Sequence, residues 1–127
     1  MSLQPIDVIR FYEFWQDGVM AAAKNARALL RMADEPVTLK NIARLIEGAP
    51  RSVRDLMEGS DWRPRSYCYQ CLEKADGRLR DDPLVRCYNP AFLAVELYFV
   101  AYFPMRTTEA QHMLTETFRG IAAGMDE

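Results

Sequence analysis

Several features that identify a function outright are missing from this chain of 127 residues. It has one histidine and none of the motifs G-x-x-x-x-G-K-S/T, G-x-G-x-x-G and G-x-S-x-G, which excludes the common phosphate loops and the hydrolase elbow. No apolar run reaches the roughly 18 residues that cross a membrane. A formal net charge of −2 gives no general attraction to nucleic acid or acidic lipid. We therefore expect neither an enzyme nor a membrane protein.

An export signal and an even set of cysteines are missing as well. The first residues, MSLQPIDVIRFYEFW, carry an aspartate and a glutamate where a signal peptide needs an apolar core. Three cysteines in such a chain predict free thiols in a reducing cytoplasm. Half of the residues are hydrophobic and 11% are aromatic, which is enough to build a core. We expect a single helical domain over residues 1–127.

Helical periodicity dominates what is present. Apolar side chains recur at spacings of three and four over Asp7–Ala33, and the sequence DEP at residues 34–36 then disfavours helix. Another helix is predicted over Tyr67–Ala75, with Ser66 as its N-cap. Polar and turn-forming residues predict a loop from Asp76 to Pro83.

The most apolar stretch is PAFLAVELYFVAYF, Pro90 to Phe103, whose only charge is Glu96. It is longer than the usual strand, so we predict a helix that is either the central core or a subunit interface, ended by Pro104. The preceding LVRCY, residues 84–88, is predicted to be a short extended piece. An exposed apolar face needs covering, so a homodimer through Ala91–Phe103 and the last helix is the predicted assembly, with a monomer core as the alternative.

The last helix is predicted to begin at Thr107 or Thr108, and Thr108 with Gln111 matches a capping box. With this helix, the pattern predicts an all-α, compact domain of about five to six helices.

One segment, TLKNIARLIEGAPRSVRDLM from Thr38 to Met57, predicts two short helices joined by a glycine turn. Ala43 is small enough for a close crossing, and Gly48 tolerates the positive φ of a turn. Val53 and Leu56 are expected to face inward. In the pattern T-L-x-x-I-A…S-V this segment resembles the helix-turn-helix of bacterial repressors, and the resemblance implies double-stranded DNA as the partner.

The residues expected to contact DNA lie on and around this segment. Arg51, Ser52 and Arg54, near the start of the second helix, are expected to face the major groove. Phosphate contacts, which position a protein without specifying sequence, are expected from four basic residues: Lys40, Arg44, Arg63 and Arg65. The predicted function is a small DNA-binding transcriptional regulator.

The alternative is a helical protein-protein interaction module, such as an accessory or inhibitor protein, without DNA binding. Helix pairs with a glycine turn occur in many helical domains, and Arg51 and Arg54 are able to pair with Asp55 and Glu58 at helical spacings. A sequence pI near 5.5 and an aromatic N-terminal helix suit a partner groove.

The pair Cys68-x-x-Cys71 leaves zinc and redox interpretations open, with Cys87 and His112 as further zinc ligands. Both cysteines fall on the apolar side of a predicted helix, where cysteine packs as a small apolar residue. We therefore expect no metal and no cofactor, and for His112 a surface or packing role without catalysis.

Overall fold

A computed structural model describes residues 14–80 and 89–125, apart from the side chains of Arg80 and Met125. Every regular element in those residues is helical and none is a strand, which confirms the predicted all-α class. The elements in chain order are π1 (Phe14–Met20), α1 (Ala21–Met32), α2 (Leu39–Glu47), α3 (Val53–Leu56), α4 (Trp62–Arg65), α5 (Tyr67–Arg80), α6 (Pro90–Leu97), π2 (Tyr98–Tyr102), α7 (Phe103–Met105) and α8 (Thr108–Met125). In that part of the chain, no helix combines the length and the apolarity that a bilayer crossing requires.

The predicted apolar stripe of the first long helix forms the centre of the core. Ala22, Ala26, Leu29 and Ala33 on and after α1 have no exposed surface. Three of these four side chains are methyl groups, so neighbouring helices are able to approach closely, and α1 packs against α2, α5 and α6. The predicted helix stop at Asp34 is confirmed, because that residue has a positive φ of 56°.

The apolar segment predicted as one helix follows a single helical path through α6, π2 and α7. Phe92, Val95, Phe99 and Phe103 line its buried edge. In π2 the Phe103 N–H donates to the Tyr98 carbonyl, five residues back. The predicted stop at Pro104 is wrong, since the helix continues to Met105.

Helix α5 begins at its predicted cap but is longer than the sequence indicates. The Ser66 hydroxyl accepts the Tyr69 N–H at 2.9 Å, which confirms the predicted cap of α5. This helix runs to Arg80, so the predicted loop is wrong over residues 76–80, and the extended piece predicted at 84–88 lies outside the described residues.

Thr107 caps α8 through the Ala110 N–H at 3.1 Å. The Gln111 side chain turns elsewhere, so the predicted capping box is wrong.

A glycine is needed at position 48 because the backbone at the start of α5 lies close to it, and not because its φ is positive. Its φ is −87°, so the predicted positive φ is wrong there; positive values occur at Asp34 and Gly59. The Gly48 carbonyl accepts the Trp62 indole N–H at 2.7 Å and the Ser66 hydroxyl at 2.6 Å. The end of α2 is thereby fixed against the start of α5.

We expect Gly48→Ala to destabilise the fold. The added Cβ would lie 3.2 Å from the Arg44 carbonyl oxygen and 3.2 Å from the Tyr67 nitrogen, and neither backbone atom moves easily. A loss of about 1–3 kcal/mol in the free energy of unfolding is expected from such overpacking, measured by urea denaturation. Gly77→Ala is the matched control: it lies within α5 with no atom within 4 Å of its added Cβ, so a gain of up to about 1 kcal/mol is expected. Equal stability of the two variants would contradict the close approach.

Candidate functional site

The second helix of the predicted DNA-binding segment is shorter than the sequence indicates. α3 has four residues, none of them buried. Val53 is 67% exposed, so its predicted inward orientation is wrong, while Leu56 is half-buried. The backbone of Ser52 is extended, so α3 begins only at Val53 and has a single turn.

Arg51 lies inward, against the expected orientation toward a DNA groove. Its guanidinium donates to the Thr115 hydroxyl at 2.8 Å, the Glu47 carbonyl at 3.0 Å and the Ile46 carbonyl at 3.3 Å. It also donates to the Gln111 carbonyl at 3.4 Å. A cation at the last carbonyls of α2 is stabilised by the helix dipole and by orphan acceptors, which explains why Arg51 turns inward.

The environment of Arg51 is partly desolvated and aromatic. Its guanidinium carbon lies 5.2 Å from the centre of the Phe103 ring. Burial lowers the pKa of Arg51, and this effect outweighs the opposing effects of the Glu47 and Asp55 carboxylates. Asp55 also accepts the Arg51 backbone N–H at 2.8 Å. Arg51 is therefore a structural residue that joins α2 to α8.

The other predicted DNA contacts divide into two groups. Arg44 lies 3.8 Å above the Tyr67 ring, and Arg63 donates to the Leu56 carbonyl at 2.7 Å. Both side chains are therefore held by contacts within the chain. The remaining residues, whose side chains are exposed, are Lys40, Ser52, Arg54 and Arg65.

The two described cysteines are packing residues. Cys68 and Cys71 are buried and free, and burial raises the pKa of each thiol. Thiols that stay protonated are poor nucleophiles and poor metal ligands. Among the described residues no group of three His, Cys, Asp or Glu side chains is arranged to hold a metal; Cys87 lies outside them, and His112 is exposed.

A cleft of about 410 Å³ lies between α3, α4, α5 and the α6–π2 helix. Its apolar lining is Leu56, Leu72 and Val100, its aromatic lining is Trp62 and Tyr69, and its charged lining is Arg63, Glu73, Asp76 and Glu96. No pattern in the sequence places these side chains together. The one signal was Glu96, the single charge in the most apolar segment of the chain.

The aromatic wall of the cleft is held in place. Trp62 and Tyr69 meet edge to face, with ring centres 5.5 Å apart, and the Trp62 indole N–H donates to the Gly48 carbonyl. The Tyr69 hydroxyl donates to Glu73 at 2.6 Å, and this bond raises the pKa of Tyr69. The Arg63 guanidinium carbon lies 5.5 Å from the Tyr69 ring centre.

A second surface feature is an apolar stripe along the outer face of α6, π2 and α7. It consists of four exposed side chains: Leu93, Leu97, Tyr102 and Met105. The step from Leu97 to Tyr102 is five residues, because hydrogen bonds in π2 join residues five apart, whereas those of an α-helix join residues four apart. A shallow depression of about 280 Å³, also lined by Ala21 and Tyr98, adjoins Tyr102 and Met105.

Comparisons of this chain with protein-family models, with curated proteins and with solved structures find no match.

We expect Arg51→Ala to lower the free energy of unfolding by about 2 kcal/mol, because it removes charge-assisted hydrogen bonds to the Glu47 carbonyl and the Thr115 hydroxyl. Arg54→Ala, the matched control on an exposed side chain, should change it by no more than about 0.5 kcal/mol. Thermal and urea unfolding of both variants provide the measurement. If Arg51→Ala is as stable as Arg54→Ala, the inward contacts of Arg51 contribute nothing to the fold.

Proposed function

We propose that this chain is a helical protein-interaction module without catalytic activity. The observation that supports this proposal is the apolar stripe of Leu93, Leu97, Tyr102 and Met105. Met105 is 78% exposed and Tyr102 is 65% exposed. Exposed apolar side chains that lie next to one another on a surface, as these four do, are typical of sites that contact another protein.

The proposed occupant is an amphipathic helix of another protein. Side chains repeated along one helix face form a ridge and flanking grooves, into which the apolar face of a second helix packs. Leu93, Leu97 and Met105 offer aliphatic anchors, and Tyr102 adds a large side chain of low conformational entropy. The depression beside Tyr102 and Met105 would accept one anchor side chain of the partner.

A second copy of this chain is the competing occupant. In an antiparallel two-fold pair centred on the stripe, the flank that carries Glu96 would meet the same flank of the second copy, and an interface that places like charges on one flank lacks electrostatic complementarity. A partner with a basic residue on that flank supplies this complementarity. We therefore propose a different protein as the partner. The free thiols of Cys68 and Cys71 are compatible with the proposed cytoplasmic setting.

Double-stranded DNA is the second candidate partner. The exposed side chains of Lys40, Ser52, Arg54 and Arg65 support it, because they are free to reach phosphates or base edges. Arg51 is not part of this second proposal, since its guanidinium is engaged with α2 and α8. The single turn of α3 leaves fewer positions for reading a groove than a full recognition helix has.

The stripe is tested with Leu97→Glu and Met105→Glu, made singly. Peptides from a randomised helical library are selected on the wild-type chain, and their affinities are then measured for each variant. We expect a loss of about 30-fold or more, as for a central anchor residue of an interface. Val53→Glu is the matched control, because it places the same charge on an apolar residue outside the stripe whose exposure lies between those of Leu97 and Met105.

Two results would change this proposal: one concerns the docking surface and the other concerns its occupant. Selected peptides that bind Leu97→Glu and wild type equally would remove the stripe as the docking surface. Sedimentation equilibrium that shows a wild-type dimer at tens of micromolar, and a monomer for Leu97→Glu, would assign the stripe to a second copy. Because Leu97 and Met105 are exposed, circular dichroism and thermal unfolding of the variants should match those of the wild type.

For the DNA candidate we expect affinity for a random duplex that falls steeply with salt. Lys40→Ala or Arg65→Ala should each reduce the slope of log affinity against log salt by about one, the contribution of one phosphate contact. Arg119→Ala, a surface arginine already paired with Glu47 and Glu116, is the control. Fluorescence anisotropy at low salt with no detectable binding would remove the candidate.

A further inference from the structure

The cleft between α3, α4, α5 and the α6–π2 helix combines three kinds of lining in one concave site. We propose that it binds a guanidinium group carried on an alkyl chain, that is, an arginine side chain of a peptide. A volume of about 410 Å³ lies within the range of small-ligand sites, and a single side chain fits it. This proposal does not rest on the apolar stripe, because the two features are lined by different side chains.

The charged side chains that line this cleft favour a cationic ligand. Three carboxylates, those of Glu73, Asp76 and Glu96, line it against one guanidinium, that of Arg63. Arg63 is already engaged, since it donates to the Leu56 carbonyl at 2.7 Å and lies over the Tyr69 ring. An anionic ligand would meet an excess of negative charge, so the lining favours a positive group.

Glu96 is the carboxylate best placed to receive that group. It is half-buried and makes no hydrogen bond or ion pair with any other described residue. Glu73, in contrast, already accepts the Tyr69 hydroxyl. A half-buried carboxylate in an otherwise apolar helix face is costly, and a bound guanidinium would offset this cost with two parallel N–H···O bonds.

The aromatic and apolar linings distinguish a guanidinium from a compact ammonium. A planar, weakly hydrated guanidinium stacks on aromatic rings, and the Trp62 indole is held beside the cleft by its bond to Gly48. The apolar side chains of Leu56, Leu72 and Val100 suit the methylene stem of such a ligand. A lysine ammonium would use the carboxylates but not the stacking surface.

The test uses the full chain labelled with ¹⁵N and three small probes. N-acetyl-L-arginine methylamide represents an arginine within a peptide, N-acetyl-L-citrulline methylamide is its uncharged near-isostere, and free L-arginine represents a metabolite. We expect the blocked arginine to shift the Trp62 indole N–H signal saturably, and citrulline to bind about tenfold more weakly or worse. Free arginine should bind more weakly than the blocked form, because its α-ammonium and α-carboxylate are strongly hydrated and lose part of that hydration at the cleft, whereas the blocked form carries neutral amides there.

Two variants complete the design. Glu96→Gln should weaken the blocked arginine by about tenfold, whereas Glu109→Gln, which removes an exposed carboxylate from the first turn of α8, should leave it unchanged. Equal binding of arginine and citrulline, or no shift at Trp62, would overturn the guanidinium site. Tighter binding of free arginine than of the blocked form would overturn its assignment to a peptide. Neither result touches the apolar stripe, because no probe contains an amphipathic helix.

Discussion

The hydrogen-bond network between Arg51 and Gln111 is the interaction on which the arrangement of the helices depends. The Gln111 amide, on a side chain only 4% exposed, donates to the Arg51 carbonyl at 3.1 Å and to the Phe103 carbonyl at 3.1 Å. Arg51 returns contacts to α8 through Thr115 and closes the end of α2. Two parts of the chain that are distant in sequence, residues 46–51 and residues 103–115, thereby satisfy one another's buried polar groups, which a packed interior requires.

At the end of α1, as at the end of α2, an arginine donates to the last carbonyls of the helix. Arg78 of α5 donates to the Met32 carbonyl at 2.8 Å, so an arginine from elsewhere also closes that helix. Because Arg51 is engaged and Arg44 and Arg63 have contacts within the chain, the predicted DNA surface is reduced to Lys40, Ser52, Arg54 and Arg65. Gly48 then brings α5 against α2 and orients Trp62, so a contact needed for packing also forms one wall of the cleft.

The features of the fold that are predictable from the sequence depend on interactions between neighbouring residues. The alanine-rich stripe of α1, the cap at Ser66 and the stop at Asp34 depend on residues within a few positions of each other, so periodicity and capping rules reach them. The stop at Pro104 fails because π2 shifts the backbone register just before it. The same shift places Tyr102 on the outer stripe, which a regular helical repeat does not predict.

The sequence by itself determined that this chain is helical, where several helices begin and which apolar faces need burial, because backbone propensity, caps and periodicity are local. Only the tertiary structure decided that Arg51 turns inward, that Val53 turns outward, and that Glu96 joins Trp62 in one cleft. Those outcomes depend on which carbonyls, rings and carboxylates meet across segments up to 64 residues apart, as in the bond from Arg51 to Thr115. The orientation of a long charged side chain is set by such partners, and a one-dimensional pattern carries no information about them.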